Sequence, residues 1–535
     1  MVDTLARPEQ PSGATAGMST RARYWLLTVA CLDVVTVIAS MVALNAALPD
    51  IALQTSATQT QLTWVVDGYT LALACLLLPA GAIGDRYGRR GALLIGLVIF
   101  GVASFAPVVF DSPLQIIIAR AVAGAGAAFI MPATLSLLTA AYPKAERNKA
   151  VGIWAGVAGS GAVVGFLGTG TLLYFFQWQS VFWALGIASV GLLILTCTIR
   201  SSSDENRRPI DWFGGALIAT AVAVFVFGVV EAPSHGWSDP LVWGSMAAGV
   251  LLTVAFAVVQ LRRTHPLLDI RLFKRPDFAT GAIGITCLFA ANFGFFFVVM
   301  QYMQLVLGYT PLQTAFALVP LALPVLALGA TTHLWSPRIG LRAAVVSGLV
   351  LIATGLLCMR VLEIDSSFWD LSWPLLIISA GIGLCTAPTT AAIMNAAPDD
   401  KQGVASAVND TTREVGAAVG IAAAGSVLAA HYQHMLAPLL GAFPEQVRGP
   451  ALESLAQALE IAERMGPTGD ALSIEAQRAF LSAMDLSMTV LAVALLIAGV
   501  FIGLWSPGRD GRQLRLLRRG LVRPRARRVR EHRSA

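Results

Sequence analysis

Long apolar stretches separated by short polar turns repeat along almost the whole chain. A helix that crosses the hydrocarbon core of a bilayer needs about 20 mostly apolar residues. By that measure, spans are predicted near 25–48, 62–84, 91–109, 114–141, 149–172 and 177–199. A polar, basic linker, RSSSDENRRPID, follows, and two further spans come near 211–231 and 238–260. After a second basic segment, RRTHPLLDIRLFKRPDF, six more lie near 277–305, 312–334, 342–362, 371–396, 404–430 and 486–506. The order six, two, six predicts an all-α integral membrane protein with fourteen transmembrane helices.

Charge in the turns tests that order independently. Alternate turns contain Arg86/Arg89/Arg90, Lys144/Arg147/Lys149, Arg207/Arg208, Arg262/Arg263/Lys274/Arg275 and Arg338/Arg342. The turns between them, at 49–61, 109–113, 172–177 and 306–311, have no Lys or Arg. Short loops rich in Lys and Arg stay in the cytoplasm, so both termini are expected there. The organisation this predicts is a cytoplasmic tail (1–24), a six-helix bundle (25–199), basic linkers with two extra spans (200–276), a second six-helix bundle (277–506) and a basic cytoplasmic tail (507–535). The segment 431–485 is too long for a simple connection and is expected outside. Leu452, Leu455 and Leu459 recur there at helical spacing, as in an amphipathic helix lying on the outer surface. His431 and His434 lack a third ligand and read as a wet pair, not a metal site.

Composition agrees with the membrane assignment: 56% of residues are hydrophobic and 13% charged, against about 25% charged in soluble domains. Much of the net charge of +6 lies in the tail, from Arg509 to Arg528. A basic tail beside a last span suits anionic lipid and topology better than nucleic acid. Six cysteines fall inside apolar runs without CxxC spacing, so neither a disulfide framework nor a metal site is expected. The first apolar run exceeds the roughly 7–15 residues of a cleavable signal core. HExxH, Walker A and nucleophile–base motifs are missing from the sequence. That argues against a membrane-embedded enzyme and an ATP-driven pump, and no cofactor is expected.

One hairpin stands out. GAIGDRYGRRGAL holds Gly81, Asp85, Arg86, Gly88, Arg89 and Arg90 between two spans. Arginines there orient the loop, but acidic residues contribute little to orientation. Asp85 also sits at the C-terminal end of its helix, where the dipole disfavours negative charge. It is expected to engage another helix end or an Arg in one conformation and release it in another, as a latch. WSPRIGLR at 335–342 echoes IGDRYGRR at 83–90, with Pro337 where Asp85 stands. A hairpin repeated at equivalent places in two halves is a trace of a two-bundle transporter.

These motifs resemble those of the major facilitator superfamily, in its fourteen-span drug:proton antiporter branch. GAIGDRYGRR is similar to the superfamily signature between spans two and three, and IIIARAVAGAGAAFIMPAT to the fourth-span motif, with Arg120, Gly124 and Gly126 in place. HPLLDIRLFKRPDF and YMQLVLGYTPLQTAFALVP resemble the branch's segments around its ninth span, and VASAVNDTTREVGAAVG its thirteenth. The resemblance implies the major facilitator fold, two six-helix bundles plus two extra central spans. It also implies alternating access, and export of drugs against an inward flow of protons across a bacterial inner membrane.

Arg120 lies within a span, where a charge costs about 2.5–3.5 kcal/mol or more. It reads either as a static ion pair between helices or, as the resemblance implies, as a charge that tunes a proton-carrying carboxylate. Asp33 is the first carboxylate candidate. Counted back from Ala47-Leu48-Pro49, the branch's acidic position falls on Ser40. Asp33 stands seven residues earlier, on the same helix face and about 10 Å nearer the cytoplasm, so no direct Asp33–Arg120 pair is expected. Asp67 is the reserve candidate; alternatively it lines the outer mouth. In the fifth span, Gly156, Gly161 and Gly165 allow close helix approach; the span resembles the exporters' antiporter motif, with Phe166 where a proline is usual. Ser40, Asn45, Trp64, Asn292, Gln301, Tyr302 and Gln304 are candidates for a substrate cavity, since aromatic walls with a few polar anchors suit an amphipathic organic ligand. Arg413 and Glu414 are expected near the cytoplasmic end, with no task assigned. The expected function is proton-coupled export of amphipathic or hydrophobic drugs, with protons and membrane lipids as further partners. The alternative is a dedicated exporter of an endogenous lipid or siderophore-like metabolite; a receptor is the reading from another class.

Overall fold

The computed structural model describes residues 18–44, 47–55, 59–109, 112–200, 209–441 and 445–508. Among them every regular element is helical. The first six spans are α1 (Thr20–Ala43), α3 (Gln59–Tyr87), α4 (Arg89–Val109), α5 (Pro113–Ala141), α6 (Lys144–Phe175) and α7 (Gln179–Cys197), with a short α2 (Leu48–Thr55) after the first. The inserted pair is α8 (Trp212–His235) and α9 (Pro240–Arg262). The remaining helices are α10 (Pro276–Gln301), α11 (Pro311–Ala317), α12 (Val319–Cys358), α13 (Phe368–Ala396), α14 (Gln402–Leu436), α15 (Glu445–Glu453), α16 (Leu455–Met465) and α17 (Asp470–Trp505).

Helix starts follow local chemistry. Ser19, Asp211 and Asp239 each accept a hydrogen bond from a backbone N–H of the first turn that follows, which satisfies a donor the helix leaves unpaired. Prolines open α5, α9, α10 and α11, where the missing N–H costs nothing.

Thirteen stretches among the described residues are long and apolar enough to span a bilayer. One of them, Pro311–Val361, is broken at Gly340, whose φ of 80° and ψ of 165° suit only glycine. Its two limbs run in opposite directions along α13. In the first limb, Gly383 meets Pro324 and Leu328; in the second, Gly348 meets Gly381 and Gly355 meets Ile378. With that helix counted twice, the spans number fourteen.

The two six-helix sets meet along two seams. In one, α3 packs on α14; in the other, α6 packs on α12. The inserted α8 packs on both α3 and α14, whereas α9 packs chiefly on α8 and turns most of its surface outward. Small residues set these approaches. Gly156 faces Val325 and Gly329 on α12, while Gly161 and Gly165 face Ile38, Ala39 and Val42 on α1. All three fifth-span glycines lie at close helix contacts.

The segment 431–485 departs from the expected outer loop. Helix α14 continues to Leu436 and α17 begins at Asp470. Leu455, Ala458 and Ala462 are buried as α16 packs on α17, so this amphipathic helix lies on protein. His431 shares a hydrogen bond with Ser482 Oγ at 3.0 Å.

The tightest seam inside the second set is between α10 and α14. A side chain at Gly420 would fall on the Ala290 carbonyl oxygen. Gly420→Val should force the helices apart and destabilise the protein by about 1–3 kcal/mol. A lower melting temperature for the purified variant checks this; an unchanged one would show that the seam yields.

Candidate functional site

At the Gly88 turn (φ 113°) α3 ends and α4 begins. Asp85 is buried there. Its Oδ1 accepts from the Gly403 N–H at 2.9 Å and its Oδ2 from the Val404 N–H at 3.1 Å. Both donors belong to the first turn of α14, whose N–H groups are unpaired and whose dipole end is positive. Arg89 adds Nε and Nη2 bonds to Oδ1, at 3.0 and 2.9 Å. The partner foreseen as a helix end or an Arg is therefore both at once. Gly81 permits the approach, because a Cβ would lie 2.5 Å from the Gly403 carbonyl oxygen.

The neighbouring cations divide the work. Arg89 Nη2 also reaches the Asp399 carbonyl at 3.3 Å, and Arg147 of α6 bonds the Asp399 carboxylate at 3.3 Å. Arg90 braces α4 on α7 through the Cys197 carbonyl at 2.6 Å. Arg86 lies over Tyr87 at 5.3 Å and borders a cleft with Asp211 and His265. The second hairpin is built differently. Arg342 bonds the Ser506 carbonyl, and Pro337 stands where the first hairpin has its acid.

Deeper, a polar layer crosses the protein. Arg120 on α5 is buried and donates from Nε to the Val65 carbonyl (3.1 Å), from Nη1 to Ser40 Oγ (2.9 Å) and from Nη2 to the Ser40 carbonyl (3.1 Å). Its guanidinium lies 4.3 Å from the Tyr69 ring centre, and Tyr69 Oη donates to the Val37 carbonyl. Thus Ser40 meets Arg120 where the family resemblance implies an acid. Among the described residues no carboxylate pairs with Arg120, so the static ion pair is not formed. Asp33, two turns along α1, is 0% exposed, and neither of its oxygens has a hydrogen-bond partner.

The other half of the layer comes from α14. Asn409, Asp410, Arg413 and Glu414 are all buried. The expected place for Arg413 and Glu414, near a helix end, is corrected: Arg413 stands about 16 Å into α14. Asn409 donates to Asp410 Oδ1 at 3.0 Å, and Arg413 lies 3.6 Å from the same oxygen. The Arg413 guanidinium packs 4.6 Å from the Phe289 ring centre on α10 and 5.4 Å from that of Trp154 on α6. A sequence signal for this group existed. Positions 410, 413 and 414 stand at i, i+3 and i+4, the spacing of one helix face.

The cavity candidates separate. Asn292 stands one turn beyond Phe289, its Oδ1 buried without a partner, and belongs with the layer. Trp64 stacks on Phe227 of α8 with centroids 6.1 Å apart. Asp67, one turn from Trp64, is within electrostatic range of Glu231 on α8. Gln301 bonds back to the Phe297 carbonyl at 3.0 Å, and Tyr302 Oη ties a π-helical turn to the Glu363 carbonyl at 2.7 Å. Both bonds lie at the end of α10. Gln304 is half-buried in the same turn, and Asn45 lies outside the described residues.

Two bundles of six spans joined by an inserted pair, with a buried Asp bonded from one bundle to the other, define a transporter of the Major Facilitator Superfamily. The chain belongs to that family, whose pattern it matches over residues 31–421. It is 32% identical to the multidrug efflux pump LfrA of Mycolicibacterium smegmatis, over 92% of this chain and 98% of that protein. It is 30% identical to the tetracenomycin C resistance and export protein of Streptomyces glaucescens, over 92% and 94% of the two chains. It is 32% identical to the multidrug resistance protein Stp of Mycobacterium tuberculosis, over 77% of each. These relatives place it in the drug-efflux branch its motifs resemble. Among solved structures, the human organic anion transporter MFSD10 shares the fold, with a TM-score of 0.60 and 12% identity over 90% of this chain and 99% of that one.

Replacing Asp85 with Asn keeps the shape but turns one acceptor oxygen into an amide donor that faces an N–H of α14. Loss of a charge-assisted hydrogen bond costs about 1.5–3 kcal/mol, enough to move the population by tenfold or more away from this closed form. Spin labels at Tyr87 and Lys274 should report a longer, broader distance in Asp85→Asn. An unaltered distance would mean that the latch does not hold the seam.

Proposed function

We propose that the chain is a proton-driven exporter of amphipathic organic compounds, drugs among them, that works by alternating access between its two bundles. The observation that carries this reading is that Asp33, Asp410 and Glu414, on helices of both bundles, are all buried with an oxygen that has no hydrogen-bond partner. Uncompensated acids inside a membrane protein are costly and mark proton or ion pathways. A carboxyl group out of water favours its neutral form, and one that meets water or a cation favours the anion. A seam that opens first on one side and then on the other would move Asp33 and Glu414 between those surroundings.

Arg120 remains charged throughout; held by Ser40 rather than an acid, it acts as a fixed field beside Tyr69. Asp67 is a further proton candidate on the outer half of α3. Excess Arg in alternate turns supports a cytoplasmic position for the latch and both termini, and bacterial relatives support the inner membrane. The relatives named for multidrug resistance and efflux support drugs as cargo. A dedicated exporter of one endogenous product is the second reading, favoured by the relative named for tetracenomycin C.

Proteoliposomes loaded with a compound panel and given an imposed pH gradient test the proposal. Wild-type protein should release several unrelated compounds at a rate set by the gradient. Asp33→Asn and Glu414→Gln should each abolish the gradient-driven part while leaving a folded, substrate-binding protein. Release indifferent to the gradient would overturn proton coupling, and release of a single compound would favour the dedicated carrier.

A further inference from the structure

The Arg413 side chain is 2% exposed, yet its Nε and Nη2 have no hydrogen-bond partner and its nearest acid oxygen is 3.6 Å away. Buried donors are normally satisfied, so ion pairing alone does not explain its retention. What holds it is the space between two ring faces, Phe289 at 4.6 Å and Trp154 at 5.4 Å. Aromatic faces attract desolvated cations. The walls of this cage belong to different bundles, so a cation within it joins them across the seam.

The surroundings are rich in idle acceptors. Asp410 Oδ2, Glu414 Oε2 and Asn409 Oδ1 on α14 all lack partners, as does Asn292 Oδ1 one turn from Phe289. Such a set suits more positive charge than one guanidinium supplies. Arg413 is also planar, delocalised and weakly hydrated, which is the chemistry of a lipophilic organic cation.

We propose that Arg413 is a tethered stand-in for the substrate: in this closed form its guanidinium fills the cage between Trp154 and Phe289 that the cationic centre of a delocalised organic cation fills during transport. Substrate must displace it, so the cage never stands empty while the bundles are closed. The proposal rests on the exporter reading and names the side chain that occupies its central site when no substrate is bound.

Binding of radiolabelled tetraphenylphosphonium to the full chain in lipid nanodiscs tests it, with uncharged triphenylphosphine oxide as the comparison. Removing a competitor raises apparent affinity by the inverse of the fraction of free sites. Arg413→Met should therefore bind tetraphenylphosphonium about tenfold more tightly, with no gain for the neutral compound. Arg413→Lys, whose tether still carries a cation, should lack most of that gain. Phe289→Leu added to Arg413→Met should reverse it. Unchanged or weaker cation binding by Arg413→Met, in protein that remains monodisperse and still binds the neutral compound, would overturn the proposal. A wild-type protein that exports uncharged compounds but not tetraphenylphosphonium would sink the stand-in and leave the exporter. Tighter cation binding by Arg413→Met, in a protein that exports nothing under a pH gradient, would do the reverse.

Discussion

A carboxylate at the C-terminal end of its own helix is in the wrong field, and Asp85 escapes it by reaching the N-terminal end of another. That contact sets the arrangement of the closed end. It brings Gly81 against Gly403, and it places Arg89 and Arg147 of the first bundle on Asp399 of the second. The bonds are strong because they are charge-assisted and buried. They are also few and lie together at one end of the helices.

The second seam is held by another principle. Where α6 meets α12, Gly152, Gly156 and Gly329 let backbone approach backbone beside Thr332, with dispersion in place of charge. One seam thus closes by electrostatics and the other by fit. The inserted pair lies over the electrostatic one. Phe227 stacks on Trp64 of α3, Trp237 bonds Ser426 of α14 at 2.7 Å, and the linker after α9 receives Lys401 at the Pro266 carbonyl. Helix α8 therefore braces α3 and α14 from the side.

Between the seams, the two bundles divide their charges unequally. Arg120 is held by hydroxyl and carbonyl oxygens within the first bundle, whereas Arg413 reaches across to Trp154 from the second. With Ser40 where the family resemblance implies an acid, Asp33 lies two turns along α1 and the acids beside Arg413 come from α14. The repeat is unequal too: an acid bonds the first hairpin to α14, and Pro337 takes its place in the second.

Span number and the need of Asp85 for a partner were legible in the sequence, because hydrophobic length and helix dipoles are local quantities. The charged face of α14 was legible only in part: Arg413 and Glu414 as neighbours diverge, and depth along a helix depends on where the bilayer cuts it. Trp64 and Tyr302 had the composition of a cavity wall, but the sequence did not show that they meet Phe227 and the Glu363 carbonyl, partners far away in the chain. The 431–485 segment showed its amphipathic period but not which surface it would cover. One chain read alone determines which groups cannot be left unpaired in a membrane; only the packing of distant helices decides which partner each one finds, since apolar faces of equal hydrophobicity are distinguished by shape alone.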